Sequence, residues 1–375
     1  EADEKFNIIN LVCTGAMMKI FPCRNIAGKT LEWYSQSDQL PQDMDNDKWV
    51  FIRKSMSYVN EMIVMKKYND ACLLLEKIKK YQQKECDGLL PADNKFKAEK
   101  IYNQFDYSKS VAMACICIGL ICFIYYCHCM ASQKRTSRKA IIILNILLWI
   151  VFTYLSAAIC LRGYVSNHLP LSNGFETMQF MAWCTLLLTF LLQRKFAMLL
   201  PFGFLLCGLT LMVSMLGESN PQITQLMPVL QSPLLSIHVV VIMIAYSLLA
   251  FIMLNGVTAV ILHQSQKECK EQIERLQIIS QIILYPAIFL LAIGIFIGAV
   301  WANVSWGRYW GWDPKEVWAL ITMLVYALAL HPRSLPWFHR TMFFHVFCIT
   351  AFITVLITYF GVNFLLGGMH SYANG

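Results

Sequence analysis

The chain has 375 residues, a mean hydropathy of +0.50 and 57% hydrophobic residues, so it is far more apolar than a soluble globular domain. Its formal net charge is +8 at pH 7, and the whole excess of basic residues falls after residue 107. Because those basic residues lie between long apolar runs, they indicate membrane topology and argue against a nucleic-acid partner.

Residues 1–107 form the first predicted region, a polar extension with sixteen basic and sixteen acidic residues. Between about residues 47 and 105, apolar residues recur at helical spacing opposite lysines, which predicts a short helical hairpin. The recurring positions are Tyr68, Cys72, Leu75, Ile78 and Tyr81. The chain starts at Glu1 without a signal-type leader, so we expect it to be a piece of a longer polypeptide.

Cysteine usage differs between the extension and the apolar region. Most of the fourteen cysteines lie in apolar runs, where a cysteine usually serves as a small hydrophobic side chain. The extension holds an even number, which could form disulfides if this region is extracytoplasmic. Those four residues are Cys13, Cys23, Cys72 and Cys86.

Residues 108–375 are predicted to form an all-α integral membrane domain with eight transmembrane helices, since a bilayer core needs about 20 apolar residues per helix. The predicted spans are about 110–130, 140–161, 176–193, 196–216, 233–262, 277–300, 316–331 and 341–365.

The charges of the connecting loops predict the orientation. One set of loops carries eleven basic residues and the opposite set only four. By the positive-inside rule the basic set faces the cytoplasm, which places both termini and the extension on the extracytoplasmic side of the membrane.

A Trp-rich segment, residues 301–318, precedes and opens the seventh predicted span and contains five of the ten tryptophans. Interfacial enrichment explains the two at helix ends, Trp301 and Trp318, better than it explains the dense run from Trp306 to Asp313. Closely set rings separated by glycines suit a large flat ligand. Arg308 could pair with a carboxylate of that ligand.

The end of the Trp-rich segment has the pattern of a helix start. Asp313 can cap the helix, Pro314 suits its first position, and Glu316 is placed to complete a capping box. A structural role therefore explains Asp313 and Glu316 better than a catalytic one, although a rigid cap would also orient the tryptophans.

The predicted topology sorts the histidines by depth. His238 lies near the outer end of the fifth span and His370 just beyond the eighth, both level with the Trp-rich segment. Two imidazoles on separate elements suit axial ligation of a haem iron. His331 lies at the inner end of the seventh span, about 30 Å away, and needs a separate site. The candidates for its partner are His128, His263, His339 and His345, each of which is more simply explained as an interfacial or loop residue. His168, in an outer loop, is interpreted either as loop structure or as a residue that supports a ligand from outside the site.

The run WGRYWGWDPKEVW, residues 306–318, resembles the WWD signature of haem-handling proteins. With PLSNGFE at residues 170–176, His238 opening a span and GVNFLLGGMHSY at residues 361–372, the chain resembles the CcsA (ResC) family of system II cytochrome c biogenesis over about residues 110–375.

This resemblance implies inner-membrane haem transport followed by haem attachment as a holocytochrome c synthase (haem lyase). Haem b would be the substrate, attached through its vinyl groups to Cys-x-x-Cys-His thiols of a reduced apocytochrome c. It implies a companion CcsB (ResB) component, either a separate chain or fused upstream, which supplies the partner of His331. It also implies that His238 and His370 ligate the outer haem. The candidate catalytic set is Trp306, Trp310, Trp312 and Asp313, with Arg308 in the haem-binding set.

Three other functions compete with haem ligation. A haem exporter or chaperone would deliver haem without forming thioether bonds. An electron-transfer protein would carry two membrane haems with paired histidines at both levels, and no inner pair is evident. A structural scaffold would leave the Trp-rich segment, His238 and His370 unexplained.

Overall fold

The computed structural model describes residues 2–24, 31–41, 44–86, 88–215, 221–223, 232–265 and 269–366. It divides into two compact units, Glu1–Phe96 and Lys97–Gly375, which we describe separately.

The N-terminal unit combines helices with a small antiparallel sheet. It begins with α1 (Ala2–Cys13) and a hairpin of β1 (Phe21–Arg24) and β2 (Leu31–Tyr34), followed by α2 (Asn46–Val64) and α3 (Tyr68–Cys86). The hairpin was not predicted because its two strands are only four residues long. A further helix, α4 (Asp93–Gln104), contains the boundary between the units, so the region from 47 to 105 is mostly helical as expected.

The core of the N-terminal unit joins the hairpin to α2 and α3. Phe21, Ile52 and Ile78 are buried together, and the Tyr81 hydroxyl donates to the Pro22 carbonyl oxygen at 3.0 Å. The predicted buried face of α3 was partly wrong. The structure buries Ala71, Ile78 and Cys86, whereas three predicted positions, Tyr68, Cys72 and Leu75, are exposed.

All fourteen cysteines are free thiols, including the four in the N-terminal unit. Cys23 and Cys86 are buried, and burial raises the pKa of both thiols. A buried protonated thiol is a poor nucleophile, so these two cysteines act as core side chains.

The second unit is a bundle in which six described helices are long and apolar enough to cross a membrane. They make this unit a multi-pass, all-α membrane bundle. These helices are α5 (Ser108–Ala131), α6 (Arg138–Ser166), α7 (Gly174–Leu192), α9 (Pro233–Gln264), α10 (Lys270–Trp306) and α12 (Thr341–Leu356), the last continuing as a π-helix over Ile357–Leu366.

The fourth and seventh predicted spans correspond to shorter helices. These are α8 (Leu199–Ser214), with 16 residues, and α11 (Pro314–Leu328), with 15. Both fall below the roughly 20 residues that a bilayer core requires. The eight-span count therefore stays a prediction.

Close packing explains how α8 can be short. A Cβ on Gly208 would lie 2.6 Å from the Ile116 side chain, and one on Gly119 would lie 2.6 Å from the Leu205 backbone nitrogen. Glycine thus allows α5 and α8 to touch along their backbones. Most of α8 is buried in protein, so its length need not match the lipid.

The long helix α10 carries Trp301 and Trp306, the first two tryptophans of the Trp-rich segment. At 1.5 Å per residue, the 37 residues of α10 extend about 55 Å, which exceeds the roughly 30 Å hydrocarbon core. Trp301 and Trp306 lie in the last two turns of α10. Gly307, with φ +72°, ends the helix in the left-handed conformation.

Candidate functional site

A cavity of about 800 Å³ opens among the starts of α7, α9 and α11 and the end of α10. This volume is in the range of sites that hold cofactor-sized molecules. The cavity reaches from Pro233 to Tyr246 on α9, which spans about 20 Å along the helix. Tyr246 and Thr358 lie at its deeper end, where the Thr358 hydroxyl is 3.2 Å from that of Thr322.

His238 lines this cavity from the second turn of α9, and a neighbouring helix fixes its ring. Its Nδ1 lies 2.7 Å from the Gly294 carbonyl oxygen on α10. A carbonyl only accepts, so Nδ1 carries the proton in this hydrogen bond and the lone pair of the neutral ring is on Nε2. Metal-binding histidines commonly have this arrangement. Gly298 makes it possible, since a Cβ there would lie 2.7 Å from His238 Cε1.

The helical part of the Trp-rich segment provides one aromatic side of the cavity. Trp301 is 1% exposed and lines the cavity, and its ring packs edge-on against Trp306 at 4.8 Å between centroids. Trp306 contacts Trp301 and is not among the described residues that line the cavity. Sequence patterns had attributed Trp301 to interfacial enrichment, so its place in the site was missed.

The Trp loop, residues 307–313, provides the adjoining aromatic surface. Tyr309 and Trp310 line the cavity, and Trp310 packs edge-on against Trp312 at 6.1 Å. Trp312 is 77% exposed, adopts φ +57° and lies outside the lining. Of the three tryptophans in the predicted catalytic set, the structure therefore brings Trp310 alone directly to the cavity.

The predicted capping box at the start of α11 is confirmed. The Asp313 carboxylate accepts from the Lys315 backbone N–H at 3.2 Å, and Glu316 Oε2 accepts from the Asp313 N–H at 3.3 Å. The same Glu316 oxygen accepts from the Gly311 N–H at 2.8 Å. One carboxylate therefore holds the Trp loop to the helix, which supports a structural role for Asp313 and Glu316.

The basic residue at the cavity differs from the one that the sequence indicated. Arg308 is exposed and is not among the lining residues, whereas the half-buried Lys315 is. Lys315 precedes the predicted seventh span. Burial lowers the pKa of its ammonium group, and the nearby Asp313 carboxylate opposes that shift.

A second part of the cavity lining is the ion-pair wall, residues 166–174, most of which line the cavity. It is held by Arg162, whose Nε donates to Glu176 Oε1 at 2.7 Å, with both side chains less than 5% exposed. Glu176 Oε2 accepts from the Ser172 N–H at 2.8 Å, and Asn173 Oδ1 accepts from the Glu176 N–H at 2.9 Å.

Arg162 also ties the ion-pair wall to other parts of the unit. It donates to the Tyr102 hydroxyl at 3.3 Å and to the Pro221 carbonyl oxygen at 3.0 Å, and its guanidinium lies 5.3 Å from the Phe175 ring centre. Arg162 is one of the four basic residues in the outer set of predicted loops, and the sequence did not indicate its pairing with Glu176. The signal that could have identified the pair was their placement: Arg162 directly follows the second predicted span and Glu176 opens the third, so both lie at the same predicted depth.

The remaining histidines are separated by helix length and burial. His331 follows α11 at the end remote from the Trp loop, and its exposed ring places Nδ1 2.9 Å from the Ala327 carbonyl oxygen. The 15 residues of α11 extend about 22 Å, so His331 does not share the cavity. His345 is fully buried, and its Nε2 faces the Ile273 carbonyl oxygen at 3.2 Å.

The other candidate partners of His331 are exposed, namely His128, His263 and His339. His168 lines the cavity from the ion-pair wall, with Nδ1 2.9 Å from the Leu169 carbonyl oxygen. His370 lies outside the described residues, so its predicted place beside the cavity stays a prediction.

Comparison with known proteins links this chain to one family. The family model described as cytochrome C assembly protein matches residues 171–370, a range that includes His238, the Trp loop and Lys315. The chain is 35% identical to cytochrome c biogenesis protein CcsA of Chlamydomonas reinhardtii over 253 residues, 64% of this chain and 71% of that protein.

Two further relatives differ in how much of their length is matched. CcsA of Prochlorococcus marinus strain MIT 9301 is 31% identical, over 64% of this chain and 87% of its own length. Protein NrfI of Wolinella succinogenes is 31% identical over the whole chain. The chain spans 42% of the length of NrfI.

Proposed function

The chain belongs to the cytochrome c assembly protein family and has a role in cytochrome c biogenesis, and from this premise we propose that it binds haem as a substrate in the cavity beside His238. In this proposal it then attaches the haem to an apocytochrome c on the extracytoplasmic side. The full activity is that of a holocytochrome c synthase working with a CcsB-type companion, either separate or fused upstream.

The position of His238 carries this proposal. Its Nδ1 is directed to the Gly294 carbonyl oxygen, which places the nitrogen lone pair on the opposite edge of the ring. The cavity that it lines is large enough for a cofactor-sized molecule and has aromatic residues, Trp301, Tyr309 and Trp310, on one side. An imidazole beside aromatic walls suits a flat iron porphyrin.

The proposed reaction forms two thioether bonds. Each substrate thiol adds across one haem vinyl group: sulfur bonds to one vinyl carbon, hydrogen goes to the other, and no external oxidant is consumed. The thiols must arrive reduced. Positioning of thiol against vinyl supplies the rate advantage, with Trp310 and Trp301 against the ring, Trp306 behind Trp301, and Trp312 exposed toward an arriving protein.

In the proposed cycle, His370 is the second ligand of the outer haem, and the histidine of the substrate Cys-x-x-Cys-His segment displaces one of the two ligands. His331 belongs to an earlier step, in which haem is taken from the cytoplasmic side with a second ligand from the CcsB-type companion. The separation of His331 from the cavity supports two sites in place of one.

Absorption spectra of purified variants test the assignment of His238. In a His331→Ala background, any remaining haem reports on the outer site. Adding His238→Ala should abolish the remaining reduced haem bands, because the iron loses its fixed ligand. Adding His263→Ala, an exposed histidine at the other end of α9, should leave them unchanged. Unchanged bands after His238→Ala would end the proposal.

The alternative is a haem exporter or chaperone that presents haem to another protein. Co-expression with the CcsB-type companion and an apocytochrome separates the two functions. Covalent haem on the apocytochrome supports ligation, whereas haem bound to this chain without a covalent product supports delivery.

A further inference from the structure

Charged side chains are few among the described residues that line the cavity. Lys315 is its one lysine or arginine and Glu316 its one carboxylate. The Glu316 carboxylate is already engaged with the backbone of the Trp loop through Gly311 and Asp313. Lys315 is therefore the cavity group with the chemistry to attract an anion.

Haem carries two propionate carboxylates on the edge of the ring opposite its vinyl groups. A carboxylate transferred into a half-buried cavity needs a cation or several hydrogen-bond donors. Arg308, which the sequence suggested for this purpose, is exposed and outside the lining, and its guanidinium carbon lies 3.3 Å from where a Cβ on Gly311 would be. It therefore folds along the Trp loop.

The place of Lys315 also relates it to the other parts of the site. It is the second residue of α11, directly after the capping Asp313–Pro314 pair, so its main chain is held by the same cap that fixes the Trp loop. Trp310 and His238 line the same cavity. The cap at the start of α11 thus positions both the Lys315 cation and the Trp310 ring relative to the proposed iron ligand, His238.

We infer that Lys315 binds a propionate carboxylate of haem and thereby determines which edge of the ring faces the incoming thiols. This inference rests on the proposed function and deepens it. Anchoring the propionate edge at α11 leaves the vinyl edge directed away from Lys315, so the residue acts on orientation as well as affinity.

The experiment compares two ligands, haem and haem dimethyl ester, in which both carboxylates are esterified. The variants are Lys315→Met, which keeps length but removes charge, Lys315→Arg, and Arg308→Met as a matched control from the Trp loop. Each is purified as the whole membrane protein in lipid nanodiscs, and binding is followed by the absorption spectrum.

We expect Lys315→Met to weaken haem binding about ten- to a hundredfold, the range of a charge-assisted hydrogen bond. The same variant should bind the dimethyl ester as the wild type does. Lys315→Arg should retain most of the wild-type affinity for haem. Arg308→Met should bind both ligands with the affinity of the wild type.

Two results would overturn the inference alone. Lys315→Met could lose affinity equally for haem and for the dimethyl ester, which would mean a structural effect, or it could lose no affinity for haem. A wild type that binds neither ligand would overturn the proposed function as well. A melting temperature of Lys315→Met equal to that of the wild type confirms that the variant is folded.

Discussion

The two sides of the cavity are held by different forces. The ion-pair wall rests on Arg162 and Glu176, two charges less than 5% exposed. The Trp loop rests on the backbone N–H groups of Gly311 and Asp313, which both donate to the Glu316 carboxylate, and its Tyr309 and Trp312 are 60% and 77% exposed. A desolvated charge pair tolerates little displacement, whereas a capped loop with exposed rings remains accessible from outside. The comparison indicates one fixed wall and one accessible wall for the substrate.

The largest expected effect comes from breaking the fixed wall. Arg162→Met leaves the Glu176 carboxylate buried without its cation, which should cost about 3–5 kcal/mol of stability. The measurement is thermal unfolding of the purified protein in detergent. The double variant Arg162→Met with Glu176→Leu should recover much of the loss, because the uncompensated charge is removed. A single variant that melts like the wild type would contradict the role given to this pair.

A smaller loss of stability is expected from a change at Gly298 on α10, against which the His238 ring packs. Gly298→Ala places a methyl group 2.7 Å from His238 Cε1, and such overpacking costs about 1–3 kcal/mol. It should also rotate the imidazole away from the Gly294 carbonyl and weaken or shift the outer haem spectrum. The matched control is Gly163→Ala on α6, where the nearest atoms lie at 3.4 Å. If Gly298→Ala and Gly163→Ala have identical haem spectra, the orientation of the His238 ring does not affect haem binding and the prediction is wrong.

The smallest effect is expected on the accessible wall. Asp313→Ala removes the cap of α11, worth about 1 kcal/mol, so the melting temperature should fall by only a few degrees. Because Asp313 and Glu316 position the Trp loop, we expect the yield of covalently attached haem to fall clearly even at temperatures where the variant is fully folded. A loss of stability as large as that of Arg162→Met would remove the distinction between the walls.

Helix starts and membrane segments were predictable because they depend on local chemistry. The capping box at Asp313 uses residues three apart, and six of the eight predicted apolar runs fall in helices long enough to cross a membrane. The β-hairpin of the N-terminal unit and the buried face of α3 were missed or misplaced. Short strands and marginal amphipathic patterns depend on their packing partners more than on their own sequence.

The residues predicted to bind haem were only partly brought together by the structure. His238 and Trp310 line the cavity, Arg308 does not, and Lys315, which the sequence did not indicate, does. Arg308 and Lys315 are both basic residues of one short segment. Which one faces the cavity depends on the turn at Gly307 and on the contacts of Glu316, and these involve several elements at once.

By itself, the sequence determined that the chain is a helical membrane protein with an aromatic segment and a histidine at one end of its bundle, because hydrophobic length and helix capping are local properties. The tertiary structure alone decided that Arg162 meets Glu176, that Gly298 admits the ring of His238 and that Lys315 faces the cavity. Each of these contacts joins residues from different helices or turns, and their geometry follows only when the helices are packed.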